Sequence, residues 1–121
     1  EEPVKPAPAI PRKKKRMLLR NKEGVSMVDM EDIILVQREN RATVLYTQQA
    51  SYQTGDTLAE IEARLDPELF FRSHKSYIIN LSYIDSITPY GRWTYVVKFK
   101  GIRQDALVTH EKYEQLEEMF G

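Results

Sequence analysis

Eleven consecutive residues concentrate the reactive side chains of this sequence: Phe70-Phe71-Arg72-Ser73-His74-Lys75-Ser76-Tyr77-Ile78-Ile79-Asn80. A guanidinium, an imidazole, an ammonium, serine hydroxyls and an amide stand there beside apolar anchors. Arg and Lys hold phosphates. Lys, Asn, and either Arg or His also donate to base edges. Two of these residues fit a structural task as well, pinning backbone carbonyls around a tight turn. Asn80 is read that way, Arg72 stays open between the two roles, and His74 and Lys75 are read as functional.

The same residues argue against catalysis. Ser73, His74 and Ser76 crowd together, but neighbours in an extended chain point to opposite sides. No partner carboxylate is assignable, and no Gly-rich phosphate loop is present. Cysteine is absent, which removes disulfides, thiolate zinc sites, iron–sulfur clusters and cysteine nucleophiles. The two histidines, His74 and His110, lie 36 residues apart, so no HxxxH-type metal pair exists. No enzyme activity, metal site or cofactor is expected.

Charge supplies a second clue. Lys+Arg and Asp+Glu are both 18, for a net of zero. Yet residues 1–16 carry six basic and two acidic residues (+4), and residues 70–103 carry six basic residues against Asp85 (+5). Residues 56–68 sum to −4, and residues 111–121 to −3. Such a partition lets a neutral protein turn a positive face to phosphates.

Several elements must position these groups. The 121 residues, 41% of them hydrophobic, predict one domain with a single modest core. Residues 1–16 hold four prolines and the run Arg12-Lys13-Lys14-Lys15-Arg16; they read as an extended linker from an upstream domain. Met17–Arg20 is a short strand, followed by a turn at Asn21–Gly24. Asp32–Arg38 opens with the apolar run Ile33–Val36, suited to a strand buried on both sides at one end. That run of four is the longest in the chain, too short for a membrane span or a signal peptide. A Cys-free chain of this kind fits a reducing cytoplasm.

Arg41–Thr47 alternates, with Ala42, Val44 and Tyr46 on one face, so Asp32–Thr47 forms a hairpin with the polar tip Arg38-Glu39-Asn40-Arg41. Ala50–Thr54 is a further strand. Thr57-Leu58-Ala59-Glu60 is a capping-box sequence, opening a helix that buries Leu58, Ile61 and Leu65 and ends at Asp66-Pro67. The five carboxylates in or beside it lack EF-hand spacing and read as a solvated face. Leu69–Ser73 is extended, Ser76–Leu81 is ambiguous between strand and helical turn, and Tyr83–Thr88 is a strand. Trp93–Val108 is a second hairpin turning at Gly101, with Trp93, Tyr95, Val97 and Phe99 inward and Thr94, Lys98 and Lys100 mostly outward. Thr109 caps a terminal helix with Tyr113, Leu116 and Phe120 on one face. The sum is a β-rich domain with one or two short helices.

The eleven-residue segment also resembles the signature F-x-R-x-H-x-S-Y/F-x-V/I-N of the LytTR-type DNA-binding domain, with Phe70, Arg72, His74, Ser76, Tyr77, Ile79 and Asn80 in place. Asp32-Ile33, Tyr52, Thr57-Leu58, Ile84, Ile87 and Tyr95–Phe99 agree with the family's flanking features, and the likeness covers residues 17–120. It implies a mostly β fold of antiparallel sheets, domain boundaries at 17–121, and loops rather than a recognition helix in the major groove. It further implies a bacterial response regulator, with a receiver or sensor domain upstream. Double-stranded promoter DNA would be bound and bent at paired imperfect direct repeats, with a second copy on the adjacent repeat. The contacts implied come from Arg38, Asn40 and Arg41 in the first loop, His74 and Lys75 in the signature, and His110 and Lys112 before the last helix. In that last loop the family commonly has Ser followed by Arg, where this chain has Thr109-His110-Glu111-Lys112, so its base preference stays open. The main alternative is a β-rich protein-interaction or ligand-sensing module. Its binding would lack the steep salt dependence of phosphate contacts. An RNA-binding domain would expose stacking aromatics, whereas Tyr95 and Phe99 are assigned to the core.

Overall fold

The computed structural model describes residues 16–121. The expected linker lies outside the described residues except for Arg16, which opens the first strand. In chain order the elements are β1 Arg16–Asn21, β2 Gly24–Asp29, β3 Leu35–Glu39, β4 Ala42–Tyr46, β5 Ser51–Thr54, α1 Leu58–Arg64, β6 Phe70–His74, β7 Tyr77–Asn80, β8 Ile84–Pro89, β9 Thr94–Phe99, β10 Asp105–Thr109 and α2 His110–Phe120. Short 3-10 turns at Met30–Asp32 and Leu81–Tyr83 lead into and out of the central strands.

All strand pairs are antiparallel, in three sheets: β1-β2, β5-β4-β3-β7-β6 and β10-β9-β8. The five-stranded sheet lies in the middle. Its β3 pairs Leu35 with both Tyr46 of β4 and Ile79 of β7. The apolar run predicts burial on both sides, and Ile33 through Val36 are each 0% exposed. Ile33 and Val36 enter one cluster with Leu45, Ile78 and Phe70, covered by Met17, Leu19 and Val28 of the first hairpin and Leu58, Ile61 and Leu65 around α1. Ile34, Leu35 and Ile79 enter a second cluster with Val97, Phe99, Ala106, Val108 and Leu116. The expectation of a single core is therefore corrected. A sheet has two faces, and this one is covered on both, each large aliphatic side chain contributing about 1.5–3 kcal/mol when fully buried.

The helix caps form as the sequence predicts. Thr57 accepts from the Glu60 amide at 3.1 Å while Glu60 accepts from the Thr57 amide at 2.8 Å. Thr109 accepts from the Lys112 amide at 3.2 Å. The acidic helix has internal work for its carboxylates besides Glu60: Asp56 meets Arg64, and Glu62 meets Arg72.

Three expectations change. Gly24–Asp29 is a strand, with Val25 and Met27 turned outward and Val28 inward. The ambiguous segment is the short strand β7, held between β3 and β6. Trp93 and Phe120, assigned inward, are 67% and 69% exposed. Val97 and Phe99 face the core as expected, but Trp93 precedes β9 and sets its exposed ring against His110 in the first turn of α2. Phe120 lies one turn past Leu116, the sole buried residue of α2.

Candidate nucleic-acid interface

The turn between β6 and β7 is built by Arg72. The ladder slips between Arg72 and His74, leaving Ser73 as an extra residue. Ser73 is fully buried, and its hydroxyl donates to the Leu107 carbonyl at 2.9 Å, fastening the bulge to β10. The Arg72 guanidinium then closes the turn from beneath. Its Nε donates to the His74 carbonyl at 3.0 Å, Nη2 to the Lys75 carbonyl at 2.7 Å, and Nη1 to Glu62 Oε1 at 2.8 Å. A planar fork with fixed donors suits this task as an ammonium does not. The open reading of Arg72 resolves to the structural one. Asn80 is also structural, donating to the Ile33 carbonyl at 2.7 Å and accepting from the Ser82 amide at 2.9 Å.

What the turn presents is His74 and Lys75. Lys75 is exposed, and its side chain has no partner among the described residues. His74 is half-buried, edge-on to Tyr77 at 5.5 Å, and its Nδ1 accepts from the Ser76 amide at 3.1 Å. That bond requires Nδ1 to be unprotonated, so the neutral ring carries its proton on Nε2. Burial, then the charges of Lys75 and Arg72, hold the His74 pKa below the ordinary imidazole value. The ring is thus a neutral single donor near pH 7.

A pH effect follows. A depressed folded pKa means that the unfolded chain binds the proton more readily. Stability from this group is therefore complete above the unfolded pKa of about 6.5 and is lost as pH falls towards the lower folded value. Thermal melts at about pH 7.5 and about pH 5.5 are expected to show a larger acid loss for the native chain than for His74→Gln. Equal losses would show that this ring does not titrate in that window.

The β3–β4 tip stands beside the turn, since the Arg38 amide donates to the Ser76 carbonyl at 3.0 Å. The Arg38 guanidinium is held by Thr43 Oγ1 at 3.0 Å, and the Thr43 hydroxyl donates to the Asp56 carbonyl at 2.6 Å. Glu39 accepts from the Tyr46 hydroxyl and from Gln37 Nε2. Burial, then Glu39, pushes the Tyr46 phenol up to about 12. Burial, then Asp105 and Glu39, raises Tyr77 as well. Over this anchor the chain reverses in two residues, Asn40 and Arg41, with φ of 46° and 69°. Two left-handed residues make the primed turn that matches strand twist. Asn tolerates that backbone; Arg does so only under strain. Both side chains are exposed.

The third predicted segment lies apart from these. Lys112 Nζ stands 5.6 Å over the Phe71 ring on β6. Phe71 is three residues from His74, about 10 Å along a strand. His110 donates its amide to the Trp93 carbonyl at 3.0 Å, sets its ring edge-on to Trp93 at 5.4 Å, and places Nε2 at 3.3 Å from Glu114. The structure thus gathers Arg38, Asn40, Arg41, His74 and Lys75 at one end of the central sheet. Lys112 stands against its edge strand β6, and His110 lies against Trp93 and Tyr95 of the three-stranded sheet. Alternation turns Trp93 inward in the sequence, whereas it is exposed at the tip of the β8–β9 hairpin. Among the described residues no three His, Asp or Glu side chains converge as a metal site requires.

The profile of the family described as the LytTr DNA-binding domain matches residues 23–121. The transcriptional regulatory protein NatR of Bacillus subtilis is 30% identical over 105 residues, covering 87% of this chain and 45% of that protein. YpdB of Escherichia coli K12, also a transcriptional regulatory protein, is 26% identical over 114 residues, covering 94% and 47%. The chain therefore spans about half the length of these curated relatives. A solved LytTr DNA-binding domain from Bacillus cereus superposes with a TM-score of 0.75 at 19% identity, covering 89% of this chain and 98% of that one, which is a likeness of fold.

Proposed function

We propose, because this chain belongs to the LytTr DNA-binding domain family, that it binds double-stranded promoter DNA sequence-specifically as the output domain of a bacterial transcriptional regulator. The single observation that carries this reading to the residues is the β6–β7 turn. Each nitrogen of the Arg72 guanidinium is engaged inside the protein, while exposed Lys75 and the Nε2–H of half-buried His74 have no acceptor among the described residues.

In this reading the turn and the β3–β4 tip enter the major groove. Lys75 donates to guanine O6 or N7, His74 donates to an acceptor on a neighbouring base, and Arg38, Asn40 and Arg41 flank them. Lys112 and His110 hold the phosphates farther along. A folded domain at 17–121, a receiver or sensor domain upstream, a second copy on an adjacent direct repeat and a cytoplasmic setting belong to the same proposal. Among the described residues no helix is long and apolar enough to cross a membrane.

The test is selection of sites from random duplex DNA, followed by titration of Lys75→Ala. Loss of a base contact is expected to cost about 1–3 kcal/mol on the selected site, with little change on random duplex. The melting temperature should stay put, because the side chain is exposed and unpartnered. Failure to select any duplex, or binding that ignores salt, would sink the proposal.

A further inference from the structure

We propose that the tip of the β8–β9 hairpin, Tyr90-Gly91-Arg92-Trp93, is an additional DNA-backbone contact, with Trp93 packing on a deoxyribose and Arg92 holding the adjacent phosphate. This rests on the DNA-binding reading above and extends it to a segment that neither the signature nor the loop before α2 includes.

The first observation is exposure. Trp93 is 67% exposed and Tyr90 61%, three residues apart in one tight loop. Gly91, at φ +72°, and the Tyr90 amide bond to the Thr94 carbonyl at 2.9 Å fix that loop. A protein with two closed cores does not need a tryptophan in water, and exposed large aromatics mark contact surfaces.

The second is rigidity. Trp93 lies edge-on to His110 at 5.4 Å, His110 stacks over Tyr95 at 6.3 Å, and Tyr95 stacks on Tyr113 at 3.9 Å. The His110 amide binds the Trp93 carbonyl. This ladder joins the hairpin tip to the first turn of α2, so the indole is ordered before any partner arrives. A preorganised aromatic loses little conformational freedom on binding.

The third is charge and continuity. Arg92 is exposed with no acidic partner among the described residues, and the ladder leads directly to His110, a proposed contact. Glu114 is already engaged by His110. Glu111 shares that helix turn and opposes a phosphate there, which leaves the attraction to Arg92, to Lys112 and to the indole. An indole supplies contact area and an N–H donor for a phosphate oxygen, neither of which depends on base identity.

Trp93 is the only tryptophan in the chain, so its emission reports on this site alone. The experiment titrates the whole chain with a mixed-sequence duplex at low salt, reading Trp93 emission and the anisotropy of an end-labelled duplex together. The two signals should saturate with one midpoint. Trp93→Ala should weaken binding to selected and random duplexes alike, by about five- to tenfold. Arg92→Ala should lower the slope of log affinity on log salt by about 0.9. Anisotropy that rises while emission stays flat, with both variants binding as the native chain does, overturns the inference and leaves the DNA-binding reading standing. Emission that shifts with protein concentration alone assigns the tip to a second copy and also overturns it. No rise in anisotropy for the native chain at low salt removes both.

Discussion

Arg72→Ala is expected to lower stability by about 2 kcal/mol and to weaken DNA binding at least tenfold. Three donations end at once, to the His74 and Lys75 carbonyls and to Glu62. Hydrogen bonds from a charged donor contribute about 1.5–3 kcal/mol each. Water replaces part of that here, and the ion pair with half-exposed Glu62 adds little of its own. Without the fork the turn keeps its ladder but loses the constraint on residues 74 and 75, and Lys75 pays an ordering cost on binding that the native protein has already met. Arg72→Lys is expected to restore little, because one ammonium cannot serve both carbonyls and the carboxylate. Binding measured across salt concentrations separates this role from direct contact. A positioning residue leaves the salt slope unchanged, whereas a phosphate contact lowers it by about 0.9. A lowered slope with unchanged melting would overturn the positioning role.

Asn80→Ala carries the larger stability effect. The residue is 1% exposed and satisfies two backbone groups, the Ile33 carbonyl and the Ser82 amide. Alanine strands both, at about 1–3 kcal/mol each, and leaves a small cavity. A loss of about 3–4 kcal/mol is expected, a large share of a small domain's stability. Denaturant unfolding at pH 7 measures it. A loss below about 1 kcal/mol would mean that water reaches both groups and that the site is less sealed than its burial implies.

Much of this architecture is legible in the residues themselves. Thr57 and Glu60 announce the start of α1 three residues apart. The polar break at Arg38–Arg41 marks a hairpin tip, and Asn80 declares its structural role beside an apolar run. What escapes is set by tertiary partners. The spacing of Arg72 does not say which carbonyls will close on its guanidinium, and the tautomer of His74 depends on where the Ser76 amide comes to lie. Trp93 continues the alternation of Tyr95, Val97 and Phe99, yet a periodic pattern does not tell where the opposing layer stops. Val25 and Met27 hide a strand because two of its three apolar side chains face outward, and the run Ile33–Val36 gives the only sign that one sheet would be covered twice. The contact assignments at Arg38, Asn40, Arg41, His74, Lys75, His110 and Lys112 come from family likeness. Geometry adds that these residues lie on two neighbouring regions of the surface.

The doubly covered sheet bears on how such a chain can diverge. Ile78 and Ile79 are sequence neighbours that serve different cores. A replacement in α1 or β10 can be compensated locally, by partners in its own layer. One in β3 or β7 has to be accommodated by two independent sets of neighbours at once. Substitutions are therefore expected to be tolerated better in the outer layers than in β3 or β7. The β6–β7 turn grows out of β7 and inherits the least freedom to wander, so new binding preferences arise most readily by exchanging its outward side chains on a backbone that stays fixed.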